Sequence, residues 1–289
     1  MNGVLAINKP QDITSFDCIR QIRRTLHIDK IGHAGTLDPL ATGVLIVLLG
    51  DATKISNYML CEDKEYEFDV IFGLMTDTED IYGKELLTEK VSDLTNELID
   101  EILNTLKGKI TQVPPMYSAI KVNGKKLYEY ARSGIEVERK EREIEVISIE
   151  RISDVTTIDN YQTCKFKAQV SKGTYVRTLC TQIGERLGHL ATMSSLNRLR
   201  SGSISLSQCY DLKAVEEGNY HLIDLVSATK KYRQIEVDDY LENKVLHGMK
   251  ISFKDLNVED ELVFFVKGEK LIGIYKRSEV CYKAERVWN

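Results

Sequence analysis

The chain has 289 residues, of which 43% are hydrophobic and 29% charged, and its formal net charge is −5. This composition is typical of a soluble globular protein and allows one large domain or two unequal ones. Because no run of about 18 apolar residues and no signal-peptide pattern occurs, we expect a cytoplasmic protein without a transmembrane helix. The six cysteines are scattered, without a C-x-x-C motif, so we expect neither a disulfide framework nor a metal site.

Charge is distributed unevenly along the chain. Residues 62–107 contain 14 acidic and 4 basic residues, whereas residues 121–142 contain 7 basic and 4 acidic ones and residues 170–201 contain 5 basic and 1 acidic. The acidic total argues mildly against a nucleic-acid partner. The segregation nevertheless allows one basic face, provided that the basic segments meet in space.

The first predicted helix follows the turn at NKPQD. Thr14 or Ser15 can cap it, and Asp17 suits the positive end of the helix dipole. The apolar positions that recur at helical spacing are Phe16, Ile19, Ile22 and Leu26. The arginines elsewhere on this helix, Arg20, Arg23 and Arg24, are either a solvated face or contacts to phosphate groups.

Four further segments predict β-strands. The run VLIVLLG (44–50) is apolar throughout and predicts a buried strand. YEFDVIF (66–72), REIEVISIE (142–150) and CKFKAQV (164–170) alternate between apolar and polar residues. In the first of these, Tyr66 has the same parity as the apolar residues, so we expect its ring on the buried face.

Two more helices are predicted between these strands. SDLTNELIDEILNTLKG (92–108) has Ser92 as a possible cap and Gly108 as its stop. Its apolar stripe comprises Leu94, Leu98, Ile99, Ile102, Leu103 and Leu106. VRTLCTQIGERLG (176–188) has its own apolar side and ends at Gly188.

The order of these elements predicts an α/β (α+β) fold with a mixed, largely antiparallel sheet flanked by helices. No G-x-G-x-x-G or P-loop pattern occurs, so no nucleotide cofactor is indicated. After Lys230 the chain becomes dense in β-forming residues around a KGEK turn, which predicts a hairpin in a small β-rich module. We therefore divide the chain into domains at 1–230 and 231–289.

Asp38 lies in the segment GHAGTLDPLATGVL (32–45), and two interpretations of it are open. An Asp-Pro pair after glycines is commonly a turn that leads into a buried strand. Gly32 and Gly35 would also let a ligand approach the backbone closely, and the buried strand would hold the loop rigidly. A carboxylate on such a loop is a candidate nucleophile or base.

Arg177 is a second candidate, in SKGTYVRT. A surface arginine is one interpretation, but the first turn of a helix favours anions, so a cation there suggests a specific carboxylate partner. Tyr66 and Tyr175 are either core residues or aromatic contacts to a ligand. His33, in the glycine-rich segment, makes either a loop hydrogen bond or a ligand contact.

The segment 114–142 interleaves basic and aromatic residues. Its members include Lys121, Lys125, Lys126, Arg132, Tyr117, Tyr128 and Tyr130. Such a mixture suits a nucleic-acid backbone with stacked bases, and a solvated surface explains it equally well.

Four motifs in this order resemble those of the TruB family, the bacterial tRNA pseudouridine synthases that modify uridine 55 (tRNA numbering) in the T-loop. The motifs are GHAGTLDPLATGVL, DKEYEFDVIFGLMTDTEDIYG, PPMYSAIKVNGKKLYEYARSGIEV and SKGTYVRTL. The resemblance extends from about residue 8 to residue 200. The last 60 residues resemble more loosely the PUA-like RNA-binding domain that ends many members, so a pseudouridine synthase fold with such a C-terminal domain is implied.

The resemblance also implies a role for individual residues. Asp38 matches the catalytic aspartate, Tyr66 the tyrosine that stacks on the target base, and Arg177 the arginine that pairs with the aspartate. His33 matches a histidine that holds extruded nucleotides, while Tyr175 and Leu196 match residues around the same pocket. The segment around 114–142 resembles the one that closes over the T-loop, and its basic residues Lys121, Lys125, Lys126 and Arg132 would bind the RNA.

The implied reaction isomerises uridine to pseudouridine without a metal or cofactor, after the base is flipped out of the T-loop. Asp38 would attack either C6 of the base or C1′ of the ribose. The implied partner is the T-stem-loop of tRNA, and nothing demands more than a monomer. Two alternatives stay open: a tRNA-binding or tRNA-folding module whose chemistry is secondary, and the same chemistry on another RNA.

Overall fold

The computed structural model describes residues 1–256 and 258–288. Their strands are β1 (Gly3–Lys9), β2 (Ile31–Ala34), β3 (Thr42–Leu49), β4 (Lys64–Phe72), β5 (Leu74–Thr76), β6 (Glu85–Thr88), β7 (Gly108–Gln112), β8 (Lys121–Val122), β9 (Lys125–Lys126), β10 (Arg142–Arg151), β11 (Thr156–Ile158), β12 (Tyr161–Val170), β13 (Ala191–Ser201), β14 (Ile204–Ser205), β15 (Arg233–Glu236), β16 (Ile251–Ser252), β17 (Leu262–Lys267), β18 (Lys270–Arg277) and β19 (Cys281–Val287). The α-helices are α1 (Ser15–Leu26), α2 (Ser56–Leu60), α3 (Asn96–Leu106), α4 (Leu127–Arg132), α5 (Val176–Leu187), α6 (Leu212–Glu216), α7 (Leu225–Ala228) and α8 (Asp239–Leu246). Short 3₁₀ helices lie at Gly50–Ile55, Leu206–Gln208 and Phe253–Asp255.

A ten-stranded sheet forms the larger part of the molecule. Its main path is β1-β3-β13-β4-β12-β10-β7, with β2, β14 and β11 added beside β3, β13 and β12. The pair β3 and β13 is parallel, and the other pairs described for this sheet are antiparallel. The predicted mixed, largely antiparallel sheet is therefore confirmed.

The strand β4 lies near the middle of this sheet and alternates strictly between buried and half-exposed residues. Tyr66 is on its buried face, as its parity predicts. That face packs against α3 and α5 through Ile99, Leu103, Leu179 and Ile183. The strand β3 is buried on both faces, because α1 covers one side and the C-terminal sheet covers the other.

The C-terminal sheet has five strands in the order β15-β17-β18-β19-β16. The strands β17 and β18 form the hairpin predicted around KGEK. Phe264 and Ile274 of this hairpin belong to the same hydrophobic cluster as Val4, Val44 and Ile46 of the large sheet. The two sheets therefore share one core, and the division at residue 230 stays a prediction.

Two details of the helix predicted at 92–108 are wrong. The helix expected from Ser92 begins at Asn96, and Thr95 caps it by accepting a hydrogen bond from Leu98 N at 3.2 Å. The preceding residues are extended, because Leu94 N donates to a side-chain oxygen of Gln162. The stripe is also narrower than predicted, with Leu98 39% exposed.

In α1, Thr14 is the cap and Asp17 lies in the first turn, as predicted. Phe16 is 63% exposed and does not join the apolar face, because Ser15 takes the inward position at this end of the helix. Cys18, Ile19 and Ile22 pack on the large sheet.

The described residues include no helix that is long and apolar enough to cross a membrane. Four of the six cysteines (Cys18, Cys164, Cys180 and Cys281) are buried. Across residues 1–256 and 258–288, no group of three or more His, Cys, Asp or Glu residues is arranged to hold a metal ion.

Candidate active site

Asp38 lies in the loop between β2 and β3, which we call the Asp38 loop (residues 35–41). The buried Ser15 fixes this loop from below, since its hydroxyl donates to Leu37 O at 3.0 Å and accepts from Leu37 N at 2.9 Å. On the other side, Ala41 N donates to Asp38 O at 3.1 Å. The backbone on both sides of the carboxylate is thus held by hydrogen bonds.

Two fully buried cations brace the same loop. Lys9 donates to the carbonyl oxygens of Pro10, Ile13 and Pro39, at 2.7, 2.8 and 3.3 Å. Burial lowers the pKa of Lys9, although Asp38 and other neighbours oppose that shift. Arg198 of β13 donates to Gly35 O at 2.9 Å and to Val44 O at 2.6 Å. These bonds join the start of the loop to the strand that follows it.

Arg177 is buried, with 4% of its side chain exposed, so the interpretation as a surface arginine is wrong. Its Nε lies 2.9 Å from Asp38 Oδ2 and 3.8 Å from Asp80 Oδ2. Nη1 donates to Thr78 O at 2.7 Å, and Nη2 donates to Tyr117 O at 2.9 Å. The planar guanidinium therefore joins the Asp38 loop, the turn after β5 and the 114–142 segment.

Tyr66 occupies the centre of the large sheet. It pairs in register with Arg198 of β13 and with Ala168 of β12. Its side chain and that of Leu196 are 7% and 8% exposed. Both residues contribute to the floor of a cavity beside Asp38.

This cavity has a volume of about 420 Å³. Its lining includes five of the residues proposed from the sequence: Asp38, Tyr66, Tyr175, Arg177 and Leu196. His33 is outside the lining, on β2. Burial and the neighbouring Arg198 lower its pKa, and its Nδ1 is buried with no hydrogen-bond partner among the described residues.

The four basic residues proposed to bind RNA, Lys121, Lys125, Lys126 and Arg132, lie on the 114–142 segment outside the cavity lining. Two of them nevertheless lie beside a residue that lines the cavity. The Lys126 ammonium and the Arg132 guanidinium lie 5.3 and 5.4 Å from the ring centre of Tyr128, which lines the cavity. The segment thus carries both charge and an aromatic ring to the rim.

Sequence reasoning missed three buried polar residues of the lining: Lys64, Arg198 and Ser118. Lys64 is buried and donates to Leu60 O at 3.0 Å and to Glu62 O at 2.5 Å. Burial is the main cause that lowers its pKa to about 8. Strand parity could have identified Lys64 and Arg198, because they share a face with Tyr66 and Leu196.

Two solved structures each contain a chain with the same fold. A chain in the crystal structure of a Cbf5-Nop10-Gar1 complex matches with a TM-score of 0.75 at 24% identity, covering 99% of this chain and 84% of that one. A chain in the structure of an H/ACA RNP bound to a substrate RNA containing 2′-deoxyuridine matches with a TM-score of 0.72 at 22% identity, covering 99% and 85%. At these identities the likeness establishes the fold.

Sequence models define the family. The model of the TruB family pseudouridylate synthase N-terminal domain matches residues 23–176, and that of the tRNA pseudouridylate synthase B C-terminal domain matches residues 177–243. The tRNA pseudouridine synthase B of Clostridium tetani is 41% identical over 98% of both chains, and that of Bacillus subtilis is 41% identical over 95% of this chain and 93% of its own. The chain belongs to the TruB family and is a pseudouridine synthase.

Proposed function

We propose that this enzyme converts uridine 55 (tRNA numbering) in the T-loop of tRNA to pseudouridine, with Asp38 as the nucleophile. One observation carries the proposal: the Asp38 carboxylate lies 2.9 Å from the buried Arg177, beside a cavity of about 420 Å³ lined by Tyr66. The relatives named tRNA pseudouridine synthase B support tRNA as the substrate.

The chemistry needs a carboxylate that is accessible on one side and held on the other. The Asp38 side chain is 38% exposed, whereas Arg177 is 4% exposed. The free face of Asp38 would therefore attack the nucleotide, at C6 of the base or at C1′ of the ribose, while the ion pair fixes its orientation. In either route the N1–C1′ bond breaks, a C5–C1′ bond forms, C5 loses a proton and N1 gains one. The overall reaction is balanced without a co-reactant.

The detached uracil must stay in the cavity until its C5 faces the ribose. Tyr66 would stack on the base and take part in removing the C5 proton, and Leu196 would complete the apolar floor. Both side chains are more than nine-tenths buried, so they form a fixed surface. The base would be flipped out of the T-loop to reach them, at a cost of about a few kcal/mol.

The RNA backbone would be bound by the basic residues around the cavity. Lys121, Lys125, Lys126 and Arg132 lie on the 114–142 segment, two of them beside the lining residue Tyr128, and Tyr175 and His33 would contact the flipped nucleotides. Such contacts make affinity depend strongly on salt. We further expect a monomeric, cytoplasmic enzyme whose C-terminal β-rich module also binds RNA.

The activity is tested with an unmodified tRNA transcript. Pseudouridine is mapped by carbodiimide labelling and primer extension. We expect a stop that reports position 55, and no stop when that uridine is replaced by cytidine. A folded protein that binds the transcript without forming pseudouridine would instead support the tRNA-folding alternative, and pseudouridine at another site would support a different RNA target.

The role of Asp38 is tested by Asp38→Asn, which keeps the shape of the side chain and removes its charge. We expect turnover to fall at least ~10⁴-fold while tRNA binding changes little, because the nucleophile is lost and the binding surface is kept. Asp239→Asn is the matched control, since Asp239 is 99% exposed on the C-terminal part. Turnover by Asp38→Asn within tenfold of the wild type would refute the nucleophile.

A further inference from the structure

Ser118 is a buried polar residue of the cavity that has no assigned role. It is 5% exposed and lines the cavity beside Asp38. Within residues 1–256 and 258–288, its hydroxyl has no hydrogen-bond partner. Buried hydroxyl groups almost always have a partner, so an unpaired one in a ligand cavity points to the ligand as that partner.

The position of Ser118 is fixed relative to the reacting carboxylate. The carbonyl of the preceding residue, Tyr117, accepts from Arg177 Nη2 at 2.9 Å, and the same guanidinium holds Asp38. The carbonyl of Ser118 itself accepts from Tyr128 N at 3.1 Å. Both peptide groups that flank the side chain are thus hydrogen-bonded, and Ser118 is held at a set place in the lining of the cavity.

Three other polar side chains of the lining, those of Arg177, Lys64 and Thr174, are already engaged. Arg177 uses Nε, Nη1 and Nη2, and Lys64 donates to two carbonyl oxygens. Thr174, the hydroxyl residue nearest in chemistry, donates to Ser171 O at 2.9 Å. Ser118 differs from these residues because its donor and its lone pairs have no partner among the described residues.

We propose that Ser118 Oγ donates a hydrogen bond to a carbonyl oxygen of the target uracil and positions the base before and after it turns. This inference rests on the proposed function. Uracil has carbonyl groups at C2 and C4, on either side of N3. Exchanging N1 for C5 at the ribose requires a half-turn about the axis through N3 and C6, and that turn exchanges the two carbonyl oxygens.

A single donor therefore meets a carbonyl oxygen in both orientations. The substrate and the product are held alike, so the contact would keep the detached base in the plane needed for bond formation without favouring either side. A neutral hydroxyl suits this task because it rotates freely and needs no compensating charge. Ser118 would thus position the base by contacting it directly.

The test is a double-mutant cycle between protein and RNA. Wild type and Ser118→Ala are compared on T-stem-loop RNAs that carry uridine, 2-thiouridine or 4-thiouridine at the target position, under single-turnover conditions. Sulfur is a weaker acceptor than oxygen. We expect Ser118→Ala to lower the single-turnover rate on the uridine RNA about tenfold. At least one thio-substitution should lower the rate of the wild type similarly and leave the rate of Ser118→Ala unchanged. If, for both thio-substitutions, the rate loss of Ser118→Ala on the thio-substituted RNA equals the product of the two separate losses, the proposed contact is refuted.

A second measurement does not need turnover. In the Asp38→Asn background, Ser118→Ala should weaken binding of the uridine stem-loop about fivefold or more and leave unchanged the binding of a stem-loop that is abasic at the target. Equal losses on the two RNAs would show a structural role and refute the proposal. Base-dependent binding without any pseudouridine from the wild type would refute the proposed function and keep the Ser118 contact.

The matched control is Ser133→Ala. Ser133 is an exposed serine on the same segment, and its hydroxyl donates to Glu129 O at 2.9 Å. We expect this variant to match the wild type on all three RNAs and in binding. An effect equal to that of Ser118→Ala would mean that the segment as a whole, rather than the cavity hydroxyl, is responsible.

Discussion

The Asp38 loop and the 114–142 segment face the same cavity, and they are held in different ways. The loop is fixed by buried side chains, namely Ser15, Lys9 and Arg198, whose hydrogen bonds end on its backbone. The segment has four buried residues, Pro114, Pro115, Ser118 and Leu127, and the rest are half-buried or exposed. Its main tie to the site is the bond from Arg177 to Tyr117 O.

The difference separates two physical requirements. A nucleophile must be held within a fraction of an ångström of its productive position, which needs a densely bonded support. A surface that admits a folded RNA must instead be able to yield, and segments with few buried contacts open at low free-energy cost. Arg177 contacts both regions, so we expect its substitution to disturb both of them.

Among the variants that compare these two regions, the largest effect is expected for Arg177→Lys. Lysine keeps the charge but cannot reach Asp38, Thr78 O and Tyr117 O together, so both the loop and the segment lose a fixed partner. We expect the single-turnover rate to fall about 10²–10³-fold, as when one preorganised donor is removed from an active site. Arg200→Lys is the control, because Arg200 also pairs with two carboxylates of the sheet, those of Asp63 and Glu65. A rate within threefold of the wild type would contradict the role given to Arg177.

A smaller effect, on the free energy of unfolding, is expected when a glycine of each region is replaced by alanine. Gly43 follows the Asp38 loop with φ +99°, and a Cβ there would lie 2.3 Å from Arg198 O. Gly124 of the 114–142 segment has φ +84° and open space around its Cβ position. Both alanine variants incur backbone strain of about 1 kcal/mol, and Gly43→Ala adds a clash with the sheet backbone.

Thermal unfolding measures this contrast. We expect Gly43→Ala to lower the free energy of unfolding by about 3 kcal/mol or more, and Gly124→Ala by about 1 kcal/mol. Equal shifts in Tm for the two variants would mean that the loop is no more tightly supported than the segment.

The smallest effect concerns the charge of Lys64, on the rigid side of the cavity. Its pKa is lowered to about 8, first by burial and then by Arg198, with Lys231 adding to the shift and Glu62 and Asp63 opposing it. If the ammonium contacts RNA phosphate, affinity should fall about tenfold between pH 7 and pH 9. Lys64→Met should bind more weakly at pH 7 and lose this dependence.

The same titration acts on stability in the opposite direction. The folded state releases the Lys64 proton near pH 8, whereas the unfolded chain holds it until about pH 10.5. Between these values the unfolded state binds more protons, so this group raises the free energy of unfolding as pH rises. Weaker RNA binding at pH 9 accompanied by higher stability would identify Lys64, whereas a parallel loss of both would indicate unfolding.

Local patterns were enough to predict much of the fold. Two sequence patterns predicted the strands on either side of the site. The alternation at residues 66–72 predicted β4, because only one face of that strand is buried, and the apolar run at 44–50 predicted β3, which is buried on both faces. The ion pair between Asp38 and Arg177, 139 residues apart in the chain, followed from an arginine that opposes its own helix dipole and from family motifs.

Other features depend on contacts that no local pattern contains. Ser92 and Thr95 are equally good caps, and the choice between them was made by the contact of Leu94 with Gln162 on a distant strand. A serine such as Ser118 carries no sequence signal of being buried and unpaired. The same holds for Lys9, whose carbonyl partners come from the turn before α1 and, 30 residues later in the chain, from the Asp38 loop.

The core shared by the two sheets has a consequence for the order in which the protein can be completed. The strand β1 carries Lys9 at its end and packs against Phe264 and Ile274, which are made more than 250 residues later. Until residues 264 and 274 have been made, a nascent chain therefore lacks the apolar layer that covers this side of β1 and β3. An unfinished chain can therefore contain Asp38, Arg177 and the rest of the cavity lining while one side of β1 and β3 is still uncovered.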